Sequence, residues 1–378
     1  MLKDLFSIRK GKKVEPVEAP SDDTVRYIQI EDLRDNSNPK FCLPKENYVI
    51  ANKNHIIIAW DGANAGTVSY GLEGAIGSTL AILETEDKNV YVPYVGKFLQ
   101  SKNQYLRDTC TGATIPHVSR KALENIVIPL PSVERQKCIS NTLDKAKSLI
   151  EKRKAQIEAL DQLTQSVFLE MFGDPVTNPN GWEIVNLQDI ADYFIGLTYK
   201  PNDVSDEGIV VLRSSNIQNG VIDLNDIVRV KKEVNDKLLV KQNDILMCSR
   251  NGSARLVGKV ALIPELEERM TFGAFMTIIR SRYYCYLYNY FQSSAFRRQI
   301  TSGATTTINQ ITKKMLNYVK LPLPPTSLQN EFAHKVEQIQ HQKEILQTSL
   351  LELENMYNSL MQKAFKGELF TEEKVSNL

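Results

Sequence analysis

A glycine-containing loop in the second half of the chain carries side chains suited to reading DNA bases. The loop spans residues 249–255 and follows a strand-like apolar run, residues 244–248. Arginine can donate two hydrogen bonds to a guanine edge in the major groove, and asparagine can pair in the same way with adenine. The sequence therefore predicts base contacts by Arg250, Asn251 and Arg255.

A basic cluster near the start of the sequence could bind the DNA backbone. Arg9, Lys10, Lys12 and Lys13 surround Gly11 directly after the first apolar segment. Lysine and arginine contacts to phosphates supply the salt-dependent part of DNA affinity. We predict phosphate contacts by these four residues from a turn, although a solvated loop without a ligand explains the cluster equally well.

The first half has a loop that matches residues 249–255 but differs in its side chains. It spans residues 60–66 and contains Asn64 but no lysine or arginine. Two readers of different DNA sequences would need different side chains on one loop frame, although unrestrained drift would leave the same pattern. Four weaker candidates lie near the ends of matching segments: Gln29, Arg34, Arg213 and Asn216.

The sequence shows no motif for catalysis or for a metal ion. It has neither a Gly-x-x-x-x-Gly-Lys-[Ser/Thr] phosphate loop nor a Gly-x-Gly-x-x-Gly turn. Residues 178–181, Asn-Pro-Asn-Gly, lack the second proline and the aromatic side chain of an amino-methyltransferase loop. We therefore predict no catalytic residue, no metal site and no cofactor in this chain.

The composition is that of a folded protein outside the membrane. The 378 residues are 42% apolar and 24% charged, and the net charge is +1, so DNA binding has to come from local patches. No apolar run reaches the ~18 residues of a membrane span, and the first residues lack the apolar core of a signal peptide. The five cysteines stand apart, which favours reduced thiols in the cytosol. We expect a cytoplasmic protein with no membrane partner.

The chain repeats one plan twice. Pro129-Leu130-Pro131 returns as Pro322-Leu323-Pro324. The offset between these two segments is 193 residues (322 − 129). At this offset, without a gap, the matches are Gln136 with Gln329, Glu151 with Glu344, Leu160 with Leu353, Ser166 with Ser359 and Phe172 with Phe365. Upstream, with small insertions, they are Gly112-Ala113-Thr114 with Gly303-Ala304-Thr305, Gly66 with Gly258, Ile28 with Leu212, and Leu5 with Ile190. The shared order predicts duplication of one large unit rather than a solenoid of short repeats.

Each copy ends in a long helix with the apolar spacing of a coiled coil. The seam includes Leu143, Ile150, Ile157 and Leu160 in the first helix and Val336, Leu346, Leu350 and Leu353 in the second. Arg153 and Lys343 interrupt the seam, where polar residues can fix the register. A helix of about 40 residues is ~60 Å long. It exceeds the face of one domain, so we favour pairing of the two helices over an amphipathic helix lying on its own domain.

Connectivity then predicts the architecture. We divide the chain into a globular domain at 1–132, a helix at 133–172, a second globular domain at 173–325, a helix at 326–366 and a tail at 367–378. The first helix leads to the second domain and the second helix starts from it, so paired seams require antiparallel helices. The prediction is an α+β fold: two mixed α/β domains joined by a long antiparallel two-helix coiled coil, with internal pseudo-twofold symmetry.

This pattern resembles the specificity subunit of type I restriction–modification systems, in which two target-recognition domains alternate with two long helical regions. The marks are the Gly-Ala-Thr segments leading into Leu/Ile-Pro-Leu-Pro, the helix starts at Gln136 and Gln329, and the helix ends at Phe172 and Phe365. The resemblance covers essentially the whole chain. One departure is that the first half has no counterpart of residues 181–184, so we expect a trimmed N-terminus, which leaves one strand position of the first domain in doubt.

The resemblance implies a non-catalytic subunit that directs adenine methylation and restriction by its partners. It implies a double-stranded DNA target of two unlike half-sites, with one half-site per domain and the helical pair setting the spacer. The implied partners are two methyltransferase (modification) subunits and, through them, a restriction endonuclease that translocates DNA. S-adenosylmethionine, ATP and magnesium would be used by those partners.

Three other interpretations compete with this one. A coiled-coil scaffold explains the helices but not two variable domains on one frame. A solitary DNA-binding regulatory module explains the domains without restriction–modification partners. A fused methyltransferase–nuclease would need the cofactor motifs that the sequence lacks.

Overall fold

The computed structural model describes residues 1–112, 114–301 and 310–369. The chain forms two compact units: unit 1 comprises Met1–Lys154 and Thr348–Leu378, and unit 2 comprises Ala155–Gln347. Each unit therefore contains one globular part and about half of each long helix. Ala113 and residues 303–305 of the repeated Gly-Ala-Thr segments lie outside the described residues.

The globular part of unit 1 is built on two four-stranded sheets. Its strands are β1 (Ser7–Lys10), β2 (Val25–Ile28), β3 (Lys40–Cys42), β4 (Ile50–Ala51), β5 (Ile56–Ala59), β6 (Val68–Tyr70), β7 (Gly74–Ile76) and β8 (Leu80–Glu84), and its short helices are α1 (Val92–Ser101), α2 (Asn103–Asp108) and α3 (Arg120–Glu124). One sheet, ordered β1-β8-β5-β6, is antiparallel; the other, ordered β3-β2-β7-β4, contains the parallel pair β2–β7. Ile56 and Ile58 of β5 pack toward the helices, whereas Ile57 packs toward the second sheet. Both faces of β5 are buried, and for this reason its residues are all apolar instead of alternating with polar ones.

One long helix, α4 (Val133–Phe172), leads from the globular part of unit 1 into unit 2. The strands of unit 2 are β9 (Glu183–Asn186), β10 (Asp192–Ile195), β11 (Val204–Ser205), β12 (Ile209–Leu212), β13 (Ile217–Gln218), β14 (Val221–Ile222), β15 (Val228–Val230), β16 (Ile245–Cys248), β17 (Val260–Leu262), β18 (Met270–Phe272), β19 (Met276–Arg280) and β20 (Lys320–Leu323). Its helices are α5 (Tyr284–Gln292), α6 (Ser294–Thr301), α7 (Lys313–Asn317) and the long α8 (Thr326–Lys366). The sheets β10-β19-β16-β17 and β11-β15-β12-β18 repeat the two-sheet plan of unit 1, including a parallel pair, β12–β18.

Backbone hydrogen bonds recur at matched positions in the two units. The amide of Gly66 donates to the carbonyl of Ala59 at 2.8 Å, and the amide of Gly258 donates to that of Cys248 at 2.8 Å. The duplication and the α+β class are therefore confirmed.

In each unit, one glycine directly after the first strand of the antiparallel sheet allows a close approach of two backbone segments. A Cβ on Gly11 would lie 2.2 Å from the carbonyl oxygen of Gly77, and a Cβ on Gly196 would lie 2.3 Å from that of Gly273. Only glycine allows the two segments to approach so closely. Both units therefore have the same close contact between the segment after their first strand and the segment before β8 or β19.

The units differ at one strand pair. In unit 2, β9 pairs with β20 over four residues. The matching residues of unit 1, 127–130, lie in no strand, and Val127 is 69% exposed. Among the described residues, unit 1 therefore has no counterpart of the β9–β20 pair.

The two long helices run antiparallel in each unit. In unit 1, Arg135 near the start of α4 donates to the carbonyl of Gly367 just after α8, at 2.7 Å. In unit 2, Lys343 of α8 donates to Asp161 of α4 at 2.6 Å. Early residues of one helix therefore meet late residues of the other, as the connectivity requires. Among the described residues, no helix has the length and apolar character for crossing a membrane.

The seam positions face inward along both helices. Leu143 and Ile150 are buried, and the half-buried ones are Ile157, Leu160, Val336, Leu346, Leu350 and Leu353. Arg153 is half-buried and Lys343 is buried. Of the apolar residues beside the seam, Phe168 enters the core of unit 2, whereas Leu149, Leu163 and Met356 are exposed.

Candidate nucleic-acid interface

Two of the predicted DNA-contacting side chains, Lys10 and Arg250, lie at one end of the antiparallel sheet of their unit, where β1 and β5 end in unit 1 and β10 and β16 end in unit 2. We call this the strand-end surface. It consists of Lys10, Asp61, Thr79 and His117 in unit 1, and of the matching Ile195, Arg250, Phe275 and Gln310 in unit 2. Three sets of backbone contacts establish the match. The amides of Asp61 and Arg250 donate to Thr79 and Phe275 respectively, Asp61 bridges His117 as Arg250 bridges Gln310, and Lys10 and Ile195 end equivalent strands.

In unit 2, an arginine lies on an exposed aromatic ring. The guanidinium carbon of Arg250 lies 5.3 Å from the ring centroid of Phe275, and Phe275 is 58% exposed. A cation–π contact at an exposed site contributes about 0.5–1 kcal/mol. No carboxylate pairs with Arg250 in the described part of the chain, and its side chain is exposed.

The neighbouring predicted residues are tied into the protein. Asn251 donates to Ser214 at 3.2 Å and accepts from the amide of Ser253 at 2.9 Å. Both ends of its side-chain amide are therefore hydrogen-bonded within the protein. Arg213 forms an ion pair with Asp226 at 2.9 Å. Arg213, Ser214 and Phe275 line a cleft of about 810 Å³. Arg255 is exposed on the same loop.

The prediction for Asn216 is wrong. This side chain is 1% exposed, and it donates to the carbonyls of Asp223 and Asp226 while accepting from the amide of Arg213. Asp32 holds the matching position in unit 1 and accepts from the amide of Gln29 at 2.7 Å. An Asn or Asp four residues after a strand end, where it can accept from the amide three residues before it, is typical of a local side-chain cap, and that signal could have identified both.

In unit 1, a carboxylate is held between two basic side chains. Lys10 lies 2.7 Å and His117 lies 2.5 Å from Asp61. Partial burial alone would raise the pKa of Asp61, but the hydrogen bonds from Lys10 and His117 outweigh it and lower the pKa. The loop at 60–66, which lacks a lysine or arginine of its own, therefore has the ammonium group of Lys10 from β1 beside it.

The basic cluster at residues 9–13 is a strand end rather than a turn. Arg9 and Lys10 belong to β1, which pairs with β8 over four residues. Arg9 is bound to Glu84 at 3.0 Å, whereas Lys12 and Lys13 are exposed beyond the strand. Of the weaker candidates, Gln29 accepts from Lys40, and Arg34 is exposed.

His55 should make unit 1 less stable as the pH falls. Burial lowers the pKa of His55 below its ordinary 6.5, with Glu84 acting in the opposite direction. As the pH falls, His55 therefore takes up a proton in the unfolded chain before it does so in the folded one. The stability that neutral His55 contributes is complete above pH 6.5 and is lost as the pH decreases through the folded-state pKa. We expect His55→Asn to reduce the difference in unfolding midpoint between pH 7.5 and 5.5, measured in urea. His334→Asn, at an 81% exposed side chain, should leave that difference unchanged; an equal effect of both substitutions would contradict the assignment.

Comparison with known proteins shows similarity to one family over most of the chain. A family model described as the type I restriction modification DNA specificity domain matches residues 1–159 and 179–355. The chain is 26% identical to the type I restriction enzyme MjaVIII specificity subunit of Methanocaldococcus jannaschii, covering 97% of this chain and 91% of that one. It is 24% identical to the EcoKI specificity subunit of Escherichia coli (strain K12), covering 89% and 79%.

Solved structures show the same fold. The crystal structure of a type I restriction–modification system S subunit from M. genitalium matches with a TM-score of 0.56 and 17% identity, covering 96% of this chain and 94% of that one. A chain from a structure concerning complex assembly and conformational transition of the type I R-M system matches with a TM-score of 0.60 and 18% identity, covering 97% of each.

Proposed function

We propose that this chain, which belongs to the type I restriction–modification DNA specificity family, recognises a bipartite, asymmetric DNA target with one half-site per unit. The observation that carries the proposal is the strand-end surface. The two units share its backbone frame but carry different side chains, Asp61 and His117 in one and Arg250 and Gln310 in the other. A common frame with different hydrogen-bonding groups suits two readers of unlike sequences.

Phosphate and base contacts have separate roles in this proposal. Exposed Lys12 and Lys13 would neutralise phosphates and hold the chain on the duplex, which adds affinity but no sequence information. The strand-end surface would face base edges. Mutation of the lysines should therefore weaken binding to all sequences about equally.

The partner subunits complete the proposed activity in the cytoplasm. Two methyltransferase subunits would methylate adenine within the target, and a restriction endonuclease that translocates DNA would join through them. S-adenosylmethionine, ATP and magnesium would be used by these subunits. Leu163 and Met356 occupy matching positions on α4 and α8 and are 44% and 57% exposed. A duplicated apolar surface on the helices suits the docking of two equal partners.

The length of the helices should set the spacer between the half-sites. Four residues added to α4 and four to α8 lengthen each helix by ~6 Å, which is nearly two base pairs at ~3.4 Å each. We expect methylation sequencing of cells that carry the insertions to show a spacer longer by about two base pairs and unchanged half-sites.

The same experiment tests the whole proposal. Deletion of the gene should remove methylation of the bipartite motif, and the wild-type gene should restore it. An unchanged spacer in the insertion strain would contradict the role of the helices. Methylation that persists without the gene would contradict the proposed function itself and would leave a coiled-coil scaffold or a solitary DNA-binding regulatory module as the explanation.

A further inference from the structure

We infer that Arg250 and Gln310 are the base-reading pair of unit 2, and that Asp61 and His117 are the corresponding pair of unit 1. This inference rests on the proposed function and assigns its sequence choice to two positions per unit. Gln310, Asp61 and His117 were not among the residues singled out by sequence, because each lies far along the chain from its bridge partner.

The backbone places each pair on one face. Arg250 and Gln310 form an antiparallel bridge, as do Asp61 and His117. Residues directly opposite each other in an antiparallel pair have Cβ atoms about 4.5–5.5 Å apart and project to the same side. In unit 1 this geometry is visible directly, because the carboxylate of Asp61 contacts the ring of His117 at 2.5 Å.

The pair in unit 2 is oriented outward by its surroundings. Arg250 and Gln310 are both exposed, and Phe275 supports one face of the Arg250 guanidinium. A supported guanidinium loses less freedom when it binds, because its plane is already constrained. Phe275 is therefore a positioning residue for Arg250, and its exposed ring edge is free to contact a thymine methyl group.

The chemistry of the two pairs differs in kind. Arginine donates two hydrogen bonds to guanine O6 and N7, and glutamine exchanges a donor and an acceptor with adenine. The half-site of unit 2 should therefore contain a guanine and a nearby adenine. Asp61 has only acceptors, already shared by Lys10 and His117, so the Asp61 carboxylate cannot read guanine in the way that Arg250 does.

The test uses the purified complex of this chain with its methyltransferase subunits and duplexes carrying the motif found by methylation sequencing. Each base pair of the motif is replaced in turn. Competition between the original and the replaced duplex then measures how strongly the complex discriminates between them at that position. We expect Arg250→Ala to reduce discrimination at one G·C pair of one half-site by about tenfold to 100-fold, and Gln310→Ala to do the same at an A·T pair of that half-site. Asp61→Ala should change the other half-site only. Arg269→Ala, which removes a 71% exposed arginine elsewhere in unit 2, should change neither.

Each possible outcome is decisive. Equal weakening of all duplexes by Arg250→Ala would make Arg250 a phosphate contact and overturn the inference, as would unchanged discrimination. If Arg250→Ala abolishes binding, Arg250→Gln decides, because glutamine pairs with adenine rather than with guanine: restored binding with a relaxed or altered choice at one base pair supports base reading, whereas wild-type discrimination at every position, or no binding of any duplex, overturns it. Failure of the wild-type complex to prefer any duplex would instead contradict the proposed function.

Discussion

Phe332→Ala should lower the free energy of unfolding of unit 2 by about 3–5 kcal/mol, as expected for loss of a buried aromatic side chain. Phe332 on α8 is fully buried. Its ring lies 5.0 Å from that of Phe172 and 5.7 Å from that of Phe168, both on the last turns of α4. Tyr286 of α5 packs against the same two rings. Phe332 therefore joins both long helices to the globular part, and its removal leaves a cavity that all three elements share.

The chain offers its own reporter for this measurement. It has two tryptophans, Trp60 in unit 1 and Trp182 in unit 2, and the indole of Trp182 donates to the carbonyl of Phe172 at 3.1 Å. In a Trp60→Phe background, fluorescence in urea therefore follows unit 2 alone. Phe275→Ala removes an exposed phenylalanine from the same unit and should cost less than about 0.5 kcal/mol. Similar losses from both substitutions would contradict the packing argument.

Arg280→Leu should destabilise unit 2 by about 3–5 kcal/mol, because it leaves a buried carboxylate without its cation. Arg280 donates twice to Asp244, both at 2.7 Å, and Asp244 is 1% exposed. The hydrogen bonds to Asp244 raise the pKa of Arg280. The guanidinium also lies over the ring of Phe194, at 4.9 Å.

A second substitution separates the cost of the lone charge from that of lost packing. Asp244→Leu combined with Arg280→Leu removes both charges, and replacing a buried ion pair by apolar residues is often neutral or stabilising. The double variant should therefore be more stable than Arg280→Leu alone in the same fluorescence assay. Arg269→Leu, at an exposed arginine, serves as the control for lost surface charge. A double variant as unstable as the single one would show that packing dominates.

The matching pair in unit 1 shows how the duplicated frame tolerates different chemistry. His55 and Glu84 occupy the positions of Asp244 and Arg280, since both pairs flank equivalent strands. Their nearest atoms are 3.8 Å apart and Glu84 is also bound by Arg9. The acid and the base have exchanged places between the units.

The sequence by itself determined the features that depend on local or periodic patterns. The helices α4 and α8 follow from apolar residues at alternating spacings of three and four, with Gly173 and Gly367 beyond their ends in the left-handed conformation. The duplication follows from residue order alone. The antiparallel direction follows from connectivity, because the second helix starts where the first one leads. None of these inferences needs a contact between distant residues.

Only the tertiary structure decided which side chains meet at the strand-end surface. Arg250 and Gln310 lie 60 residues apart in sequence, and their bridge exists because β16 and the segment before α7 are brought together by the whole domain. Burial is decided in the same way. Asn216 matches the pattern of a base-reading residue, yet the fold turns its amide inward to satisfy backbone carbonyls that would otherwise be unpaired. Long-range strand pairing and burial are collective properties of a packed chain, so the type and spacing of the residues do not specify them.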